Sequence, residues 1–500
     1  MIVTASDWMS ILPALALILG AFAAVAVGTI VRPEKRQGIA EFVCYAALTV
    51  ALGASFYALS KGDGYKTVAI DGFHSAVRLD ELALFLTLAI VAATGLTVVL
   101  SADAMKGQEA AHGEYYGLLL LAAAGMMLLV EAQELITFFI SLEVLSLALY
   151  ALTGLLRRDT RSNEAAIKYF VMGAFASGFV LYGMALLYGA TGSLLLPEIA
   201  SRIASKSIAG PSLVSTGVVL LGIGLAFKVG AVPFHQWVPD VYEGAPTSVT
   251  AFMSVAVKAA GFGGLLRILL TAVQPLAATW GTALWGLALL TLVVANLLAV
   301  AQQNVKRMLA YSSIAHTGYI LAAVASLRGK TVTESMAIET GSAAVYYLFV
   351  YTFMTLGAFA FLLYAGRGDR DAEDIGDFAG LAKRRPWSAF AMTIFMLSLG
   401  GIPPTAGFFG KFLLFKSMVH AGETGLVIVG VLSSAVSLYY YLRVVVYMYM
   451  KPEPEGSETP RFGFNAGLVV LACAAFTLAL GLLPSRYLNL STTSIAMLLR

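Results

Sequence analysis

The chain alternates between long apolar runs and short polar connectors over its whole length. A helix that crosses a bilayer needs about 20 apolar residues. Fourteen runs meet that need: about 8–31, 40–60, 81–101, 115–131, 134–155, 164–190, 211–239, 247–272, 279–302, 307–327, 335–365, 386–419, 424–450 and 465–484. The weakest boundary is between the fourth and fifth, where only Glu131, Gln133 and Glu134 interrupt. The seventh and twelfth runs are too long for one straight helix. The seventh contains Gly230 and Pro233; the twelfth contains Gly400, Gly401, Pro403, Pro404, Gly407 and Gly410. Proline removes a backbone donor and clashes with the preceding turn. Inside a bilayer the freed carbonyls must find protein or water. The pattern therefore predicts an all-α polytopic membrane protein with about fourteen spans, of which 7 and 12 are broken. The breaks lie five spans apart, which suggests two five-helix repeats, spans 4–8 and 9–13. Five is odd, so such repeats must be inverted in the membrane. The organisation expected is 1–110 as a three-helix segment, 111–272 and 273–451 as the repeats, and 452–500 as a last helix. One mismatch stands out: Lys228 precedes its break, whereas Lys411 follows its own.

The connectors are small. Residues 61–80 alternate apolar and polar positions and read as a short external hairpin. Residues 197–209 read as a short interfacial helix, and 366–385 form the most charged loop. The first run has no basic residues before it, so it reads as an uncleaved span rather than a signal peptide.

Composition fits this picture. Only 12% of the 500 residues are charged, against about 25% in a soluble domain. The net charge of +3 is spread over connectors and does not point to nucleic acid. If connectors alternate between the two sides, one side collects 16 Lys and Arg, among them Arg157, Arg158, Arg161, Lys383, Arg384 and Arg385, and the other collects 9. The richer side reads as the cytoplasm, with both termini outside. Two cysteines, Cys44 and Cys473, lie far apart in apolar runs. They cannot supply a Cys-rich iron–sulfur or zinc site.

The candidate chemistry lies in the charges inside the runs. A lysine at the centre of a membrane helix costs roughly 3 kcal/mol on insertion scales, so such residues are functional by default. Lys228 and Lys258 each sit near the middle of a run. Desolvation weakens a lysine's hold on its proton, and a nearby carboxylate strengthens it. A lysine poised between the two can load and release a proton; the alternative is a structural ion pair. Glu143 is the clearest central acid. Lys168 lies only about one turn inside run six, with Glu164 four residues before it. It has the geometry of a helical pair or of a snorkelling side chain. Lys411 lies about two turns from the end of run twelve and has the same alternative. His235 and His316 are candidate proton relays, although lone interface histidines are commonly packing residues. Arg267, Lys416 and Arg443 near run ends read as snorkelling. Around Lys411, AGFFGKF departs from a phosphate loop at Thr405, where Gly is required, and at Phe412, where Ser or Thr is required. No dinucleotide fingerprint is present either.

Five stretches carry a resemblance: EAAIKYFVMGAFASGFVLYGMALLYG, FKVGAVPFHQWVPDVYEGAPT, NVKRMLAYSSIAHTGYILA, VYYLFVYTFMTLGAF and LSLGGIPPTAGFFGKF. With them the chain resembles the antiporter-like proton-pumping subunits of respiratory complex I, NADH-quinone oxidoreductase, and most of all the N-type branch. The resemblance implies proton-transfer roles for Glu143, Lys228, Lys258 and Lys411, with Glu143 pairing with Lys228. Lys168 matches an extra lysine of the N-type branch. A sister branch carries glutamate where Lys411 stands, and another has a long lateral C-terminal helix. The resemblance further implies a bacterial inner membrane and K-type and M-type neighbours. FMN, iron–sulfur clusters and quinone would belong to partner subunits, with no cofactor in this chain. A subunit of a multisubunit Na⁺/H⁺ antiporter is the rival reading.

Overall fold

A computed structural model describes residues 4–60, 69–104, 112–328, 333–366, 371–453 and 463–499. Thirteen helices in it are long and apolar enough to cross a membrane. They are Ala5–Ile30, Pro33–Ala58, Glu81–Ala104, Gly113–Glu131, Leu135–Thr153, Thr160–Thr191, Pro211–Val229, Thr247–Ala272, Gln274–Val300, Val305–Arg328, Glu334–Tyr364, Thr424–Met450 and Phe464–Leu482. A fourteenth crossing is made of two half-helices, Pro386–Gly400 and Ala406–His420. Each half has 15 residues, about 22 Å at 1.5 Å per residue, so neither spans about 30 Å of hydrocarbon alone. We number these fourteen spans in chain order.

The weak boundary between the fourth and fifth spans is a turn of three residues, 132–134. It is pinned by backbone bridges from Ala132 to Val77 and from Glu134 to Leu195. Val77 belongs to a short antiparallel hairpin, Ile70–Gly72 with Val77–Leu79; the first part of the expected hairpin, 61–68, lies outside the described residues. Leu195 precedes a helix, Leu196–Ala204, that buries Leu196, Ile199 and Ile203 and exposes its polar side. The connectors after spans 2, 4 and 6 therefore meet at one end of the bundle, here called the hairpin end. At the opposite end, Asn304 bridges Asp374, joining the connectors after spans 9 and 11. This alternation is what fourteen crossings require. One element was not anticipated: a short helix, Pro484–Leu498, follows the last span. Its Ser494 hydroxyl donates to the Glu81 carbonyl at 3.1 Å, docking it on the third span.

Burial is uneven. The eighth, tenth and eleventh spans are enclosed by their neighbours, whereas the first, second, sixth and thirteenth expose apolar faces. The eighth span packs closely because of its glycines. A Cβ on Gly263 would stand 2.6 Å from Leu86 Cδ1, and one on Gly264 would stand 2.8 Å from Phe138 Cε2. That stretch is regular α-helix, and π-helical turns flank it at Met253–Val257 and Ile268–Ala272. Such turns often mark functional positions in a helix.

Both broken spans break in the same way. Gly230 (φ +74°) and Gly401 (φ +84°) end their first halves in the left-handed conformation, which an L side chain resists. The next residue closes each end: the Ala231 amide donates to the Ala226 carbonyl at 2.8 Å, and that of Ile402 donates to Leu397 at 2.9 Å. This is a Schellman cap. It satisfies some terminal carbonyls and leaves the rest to be met by side chains.

Candidate functional site

Lysines meet those carbonyls. Lys258, from the eighth span, donates through Nζ to the Val229 carbonyl at 3.2 Å, to that of Ser313 at 2.7 Å and to the Thr317 hydroxyl. Val229 is the last helical residue before the seventh-span break. Lys411 donates to the carbonyls of Leu399 (2.9 Å) and Gly400 (3.2 Å), which end the first half of the twelfth span, and to the Ser434 hydroxyl at 2.9 Å. Each ammonium thus sits at the negative end of a half-helix, worth up to about 2 kcal/mol when partly buried. Gly401 makes room: a Cβ there would stand 3.0 Å from Lys411 Cδ. The mismatch in the sequence pattern has a physical resolution here. The residue that does at the first break what Lys411 does at the second is Lys258, not Lys228.

Lys228 does something else. Its Nζ donates to Ser146 Oγ on the fifth span at 2.8 Å. Ser146 stands one turn after Glu143, whose carboxylate accepts from Ser177 Oγ of the sixth span at 2.5 Å. No ion pair joins Glu143 to Lys228 in this conformation; each is held by a serine instead. Residues three or four apart on a helix are about 5–6 Å apart at Cβ, so the two charges remain within one side-chain swing. Glu143 is half-buried, whereas Lys228, Lys258 and Lys411 are each no more than 5% exposed.

His316 completes the row. It lies on the tenth span, one turn after Ser313 and next to Thr317, both of which contact Lys258. Its ring nitrogens meet the hydroxyls of Tyr347 and, at 3.2 Å, Tyr441. Its ring is 5.8 Å from that of Tyr319, over which the Lys411 ammonium sits at 4.9 Å. The row runs Glu143, Ser146, Lys228, Lys258, His316, Tyr319, Lys411. All but Glu143 are enclosed by the bundle or nearly so, and each of the ammonium groups and the imidazole has hydrogen-bonding partners. The arrangement holds several protonatable nitrogens in reach of hydroxyls.

The other candidates lie elsewhere. Lys168 is 42% exposed and bridges Glu164 (2.7 Å) and Asp240 (2.8 Å) at the end opposite the hairpin. Asp240 also meets Arg307 at 2.9 Å, and Arg307 meets Glu243 at 2.5 Å. This is a partly exposed network apart from the row. His235 is half-buried in the connector between the halves of the seventh span, and no hydrogen bond joins it to the row among the described residues.

One expectation is overturned. Arg267 does not snorkel: it is wholly buried. Its Nη1 and Nη2 donate to the two oxygens of Asp80 at 2.9 and 2.8 Å, and its Nε donates to the Val130 carbonyl. Its place near a run end suggested an escape to water, but the third and fourth spans and the short helix Leu196–Ala204 pack against that end. Sequence reasoning also missed Ser146, Ser177, Thr317, Tyr319, Tyr347 and Tyr441. Hydroxyl residues are common in membrane helices, and only the packing shows which of them meet a charge. Among the described residues, no cluster of three or more His, Cys, Asp or Glu side chains is placed to hold a metal ion.

Comparison with known proteins gives this geometry a family. Residues 132–437 match the family described as NADH:quinone oxidoreductase/Mrp antiporter, TM. The chain is 44% identical over 467 residues to NADH-quinone oxidoreductase subunit N of Trichlorobacter lovleyi, covering 93% of this chain and 92% of that protein. The subunit N of Myxococcus xanthus is 47% identical over 428 residues, with 81% and 82% covered. Among solved structures, a chain of respiratory complex I from Thermus thermophilus with bound aureothin superposes with a TM-score of 0.77 at 35% identity, over 95% of this chain and 98% of that one. A chain of the Mrp complex from Dietzia superposes at 0.85 but with 22% identity, over 99% and 98%, which speaks to the fold alone. The chain belongs to the NADH:quinone oxidoreductase/Mrp antiporter membrane-subunit family, among the relatives named NADH-quinone oxidoreductase subunit N.

Proposed function

We propose that this chain is a proton-translocating membrane-arm subunit of NADH:quinone oxidoreductase. The observation that carries the reading is the row of buried lysines, two of them capping the broken ends of spans 7 and 12. A charge buried without use costs stability, and this chain keeps three ammonium groups in its core. In this reading Glu143, Lys228, Lys258 and Lys411 transfer protons, His316 relays them, and the Lys168–Glu164 pair with Asp240 gathers them at one surface. His235 lies beside the seventh-span break as a further relay. The chain supplies no redox group of its own. FMN, iron–sulfur clusters and quinone belong to partner subunits, and K-type and M-type subunits flank it. Two inverted repeats, within 111–272 and 273–451, fit the matching breaks.

The rival, a subunit of a Na⁺/H⁺ antiporter, shares the fold. Affinity purification through a tag on this chain separates the two. The expected result is a complex that oxidises NADH, reduces quinone and acidifies one side of a vesicle. A complex that exchanges Na⁺ for H⁺ without oxidising NADH would establish the rival.

The localisation that follows is the bacterial inner membrane, with both termini on the outer side. Gly376 lies in the connector after the eleventh span and Gly425 in the first turn of the thirteenth, at opposite ends of the bundle, and each has open space where a side chain would go. In intact cells a membrane-impermeant thiol reagent should label Gly425→Cys and spare Gly376→Cys. The reverse pattern would turn the orientation over.

A further inference from the structure

The described residues contain one fully buried acid that the lysine row does not use. Glu131 ends the fourth span at the hairpin end of the bundle and has no exposed surface. Neither of its carboxylate oxygens has a hydrogen-bonding partner. An ionised carboxylate left so is severely penalised; the neutral acid is tolerated. Yet a cation is at hand. Arg267 donates to the carbonyl of Val130, the residue before Glu131, while its Nη atoms are bound to Asp80. One guanidinium thus stands between two acids and is engaged by one of them. The other nearby cation, Arg78, is one residue from the bridge between Val77 and Ala132 and turns to Asp71 at 3.7 Å. Glu134, three residues on, faces the Thr137 hydroxyl at 3.3 Å.

Placement gives the cluster its meaning. Arg267 and Lys258 are the two ends of the same helix, Lys258–Arg267. Nine residues at 1.5 Å per residue put them about 14 Å apart along its axis. The acid therefore lies between the central lysine and the hairpin-end surface.

We propose that Glu131 is a proton-storing carboxyl of the translocation machinery, emptied when Arg267 exchanges Asp80 for it. In the state described here the proton sits on Glu131 and the guanidinium on Asp80. When the guanidinium swings to Glu131, the Glu131 O–H bond breaks, its proton passes to water at the hairpin end, and Asp80 takes up a proton in exchange from the interior side. Charge in the cluster is conserved throughout. The inference rests on the reading of the lysine row as the proton path.

The test uses the assembled complex in vesicles. The redox-induced infrared difference spectrum reports protonated carboxyls directly. Glu131→Gln should remove one protonated-carboxyl band and lower the proton-to-electron ratio severalfold, with Glu131→Asp restoring most of it. Asp80→Asn should remove the same band although Glu131 is intact, because the freed guanidinium then pairs with Glu131 permanently. A buried acid that merely fills space would leave the spectrum, the ratio and turnover unchanged in Glu131→Gln, and that result overturns the proposal. If Glu131→Gln does not assemble, the comparison of wild type with Asp80→Asn decides by the same band. A silent Glu131→Gln beside a Lys228→Ala that abolishes pumping rejects only the role of Glu131. Silence in both rejects the lysine row with it.

Discussion

Arg267→Leu should destabilise the chain by about 3–5 kcal/mol, the usual cost of stripping one partner from a buried ion pair. The reasons are local. Arg267 and Asp80 are both buried, and the guanidinium makes two parallel bonds to the carboxylate at 2.9 and 2.8 Å. Without it, Asp80 is left with the amide of Ala83 at 2.9 Å for its charge, and the Val130 carbonyl loses its donor. The pair also joins the start of the third span to the end of the eighth, residues 187 apart in sequence. Its loss should loosen the hairpin end first. The double variant Arg267→Leu with Asp80→Leu should recover most of the loss, since replacing both partners of a buried pair by apolar groups is often neutral. The measurement is the amount of chain found in the assembled complex on a native gel, together with the thermal inactivation of that complex. A single variant as stable as wild type would show that water reaches Asp80. A double variant worse than either single one would show that the pair, rather than the stranded charge, holds the spans together.

This pair marks the limit of what the sequence discloses. Lys228 and Lys258 stand out in the sequence because a charge amid apolar residues is an outlier whatever surrounds it. The breaks in spans 7 and 12 stand out for the same kind of reason, since glycine and proline cluster there. The run boundaries are close for the same cause: run eleven was expected at 335–365 and is Glu334–Tyr364. Arg267 was misjudged because position along a run does not say what covers its end; Asp80, which decides the matter, lies in a distant connector. The Glu143–Lys228 contact is expected from the resemblance, yet here two serines hold the charges apart. One-dimensional spacing cannot distinguish a made pair from one held open. The equivalence of Lys258 and Lys411 at the two breaks is invisible in sequence order and appears only once Nζ is seen to reach Val229 in one case and Leu399 and Gly400 in the other. The helix Pro484–Leu498 escaped notice because it is short and polar on one side, unlike the spans.

The second large effect is expected at Lys228. At an effective dielectric near 20, unit charges about 4 Å apart attract by roughly 4 kcal/mol. Closing the gap between Lys228 and Glu143 would therefore favour the paired charges by about that energy, and opening it would forgo it. In the open form seen here, Lys228 rests on Ser146 and Glu143 on Ser177. In the proposed reading Lys228→Ala removes the proton carrier. Lys228→Arg keeps the charge but not the exchangeable proton, since a guanidinium is not deprotonated in proteins. Glu143→Ala removes the carboxylate that the proposed reading pairs with Lys228, whereas Glu143→Asp keeps the charge and shortens its reach. Both Lys228 variants and Glu143→Ala should lower pumping severalfold, and Glu143→Asp should be much milder. Quinone reduction should fall with pumping where the steps are tightly coupled. The deciding measurement is the proton-to-electron ratio of the Lys228→Arg complex in sealed vesicles, after a native gel confirms full assembly. A ratio severalfold below wild type is the expected result; a normal ratio with normal turnover would show that Lys228 only holds the structure together.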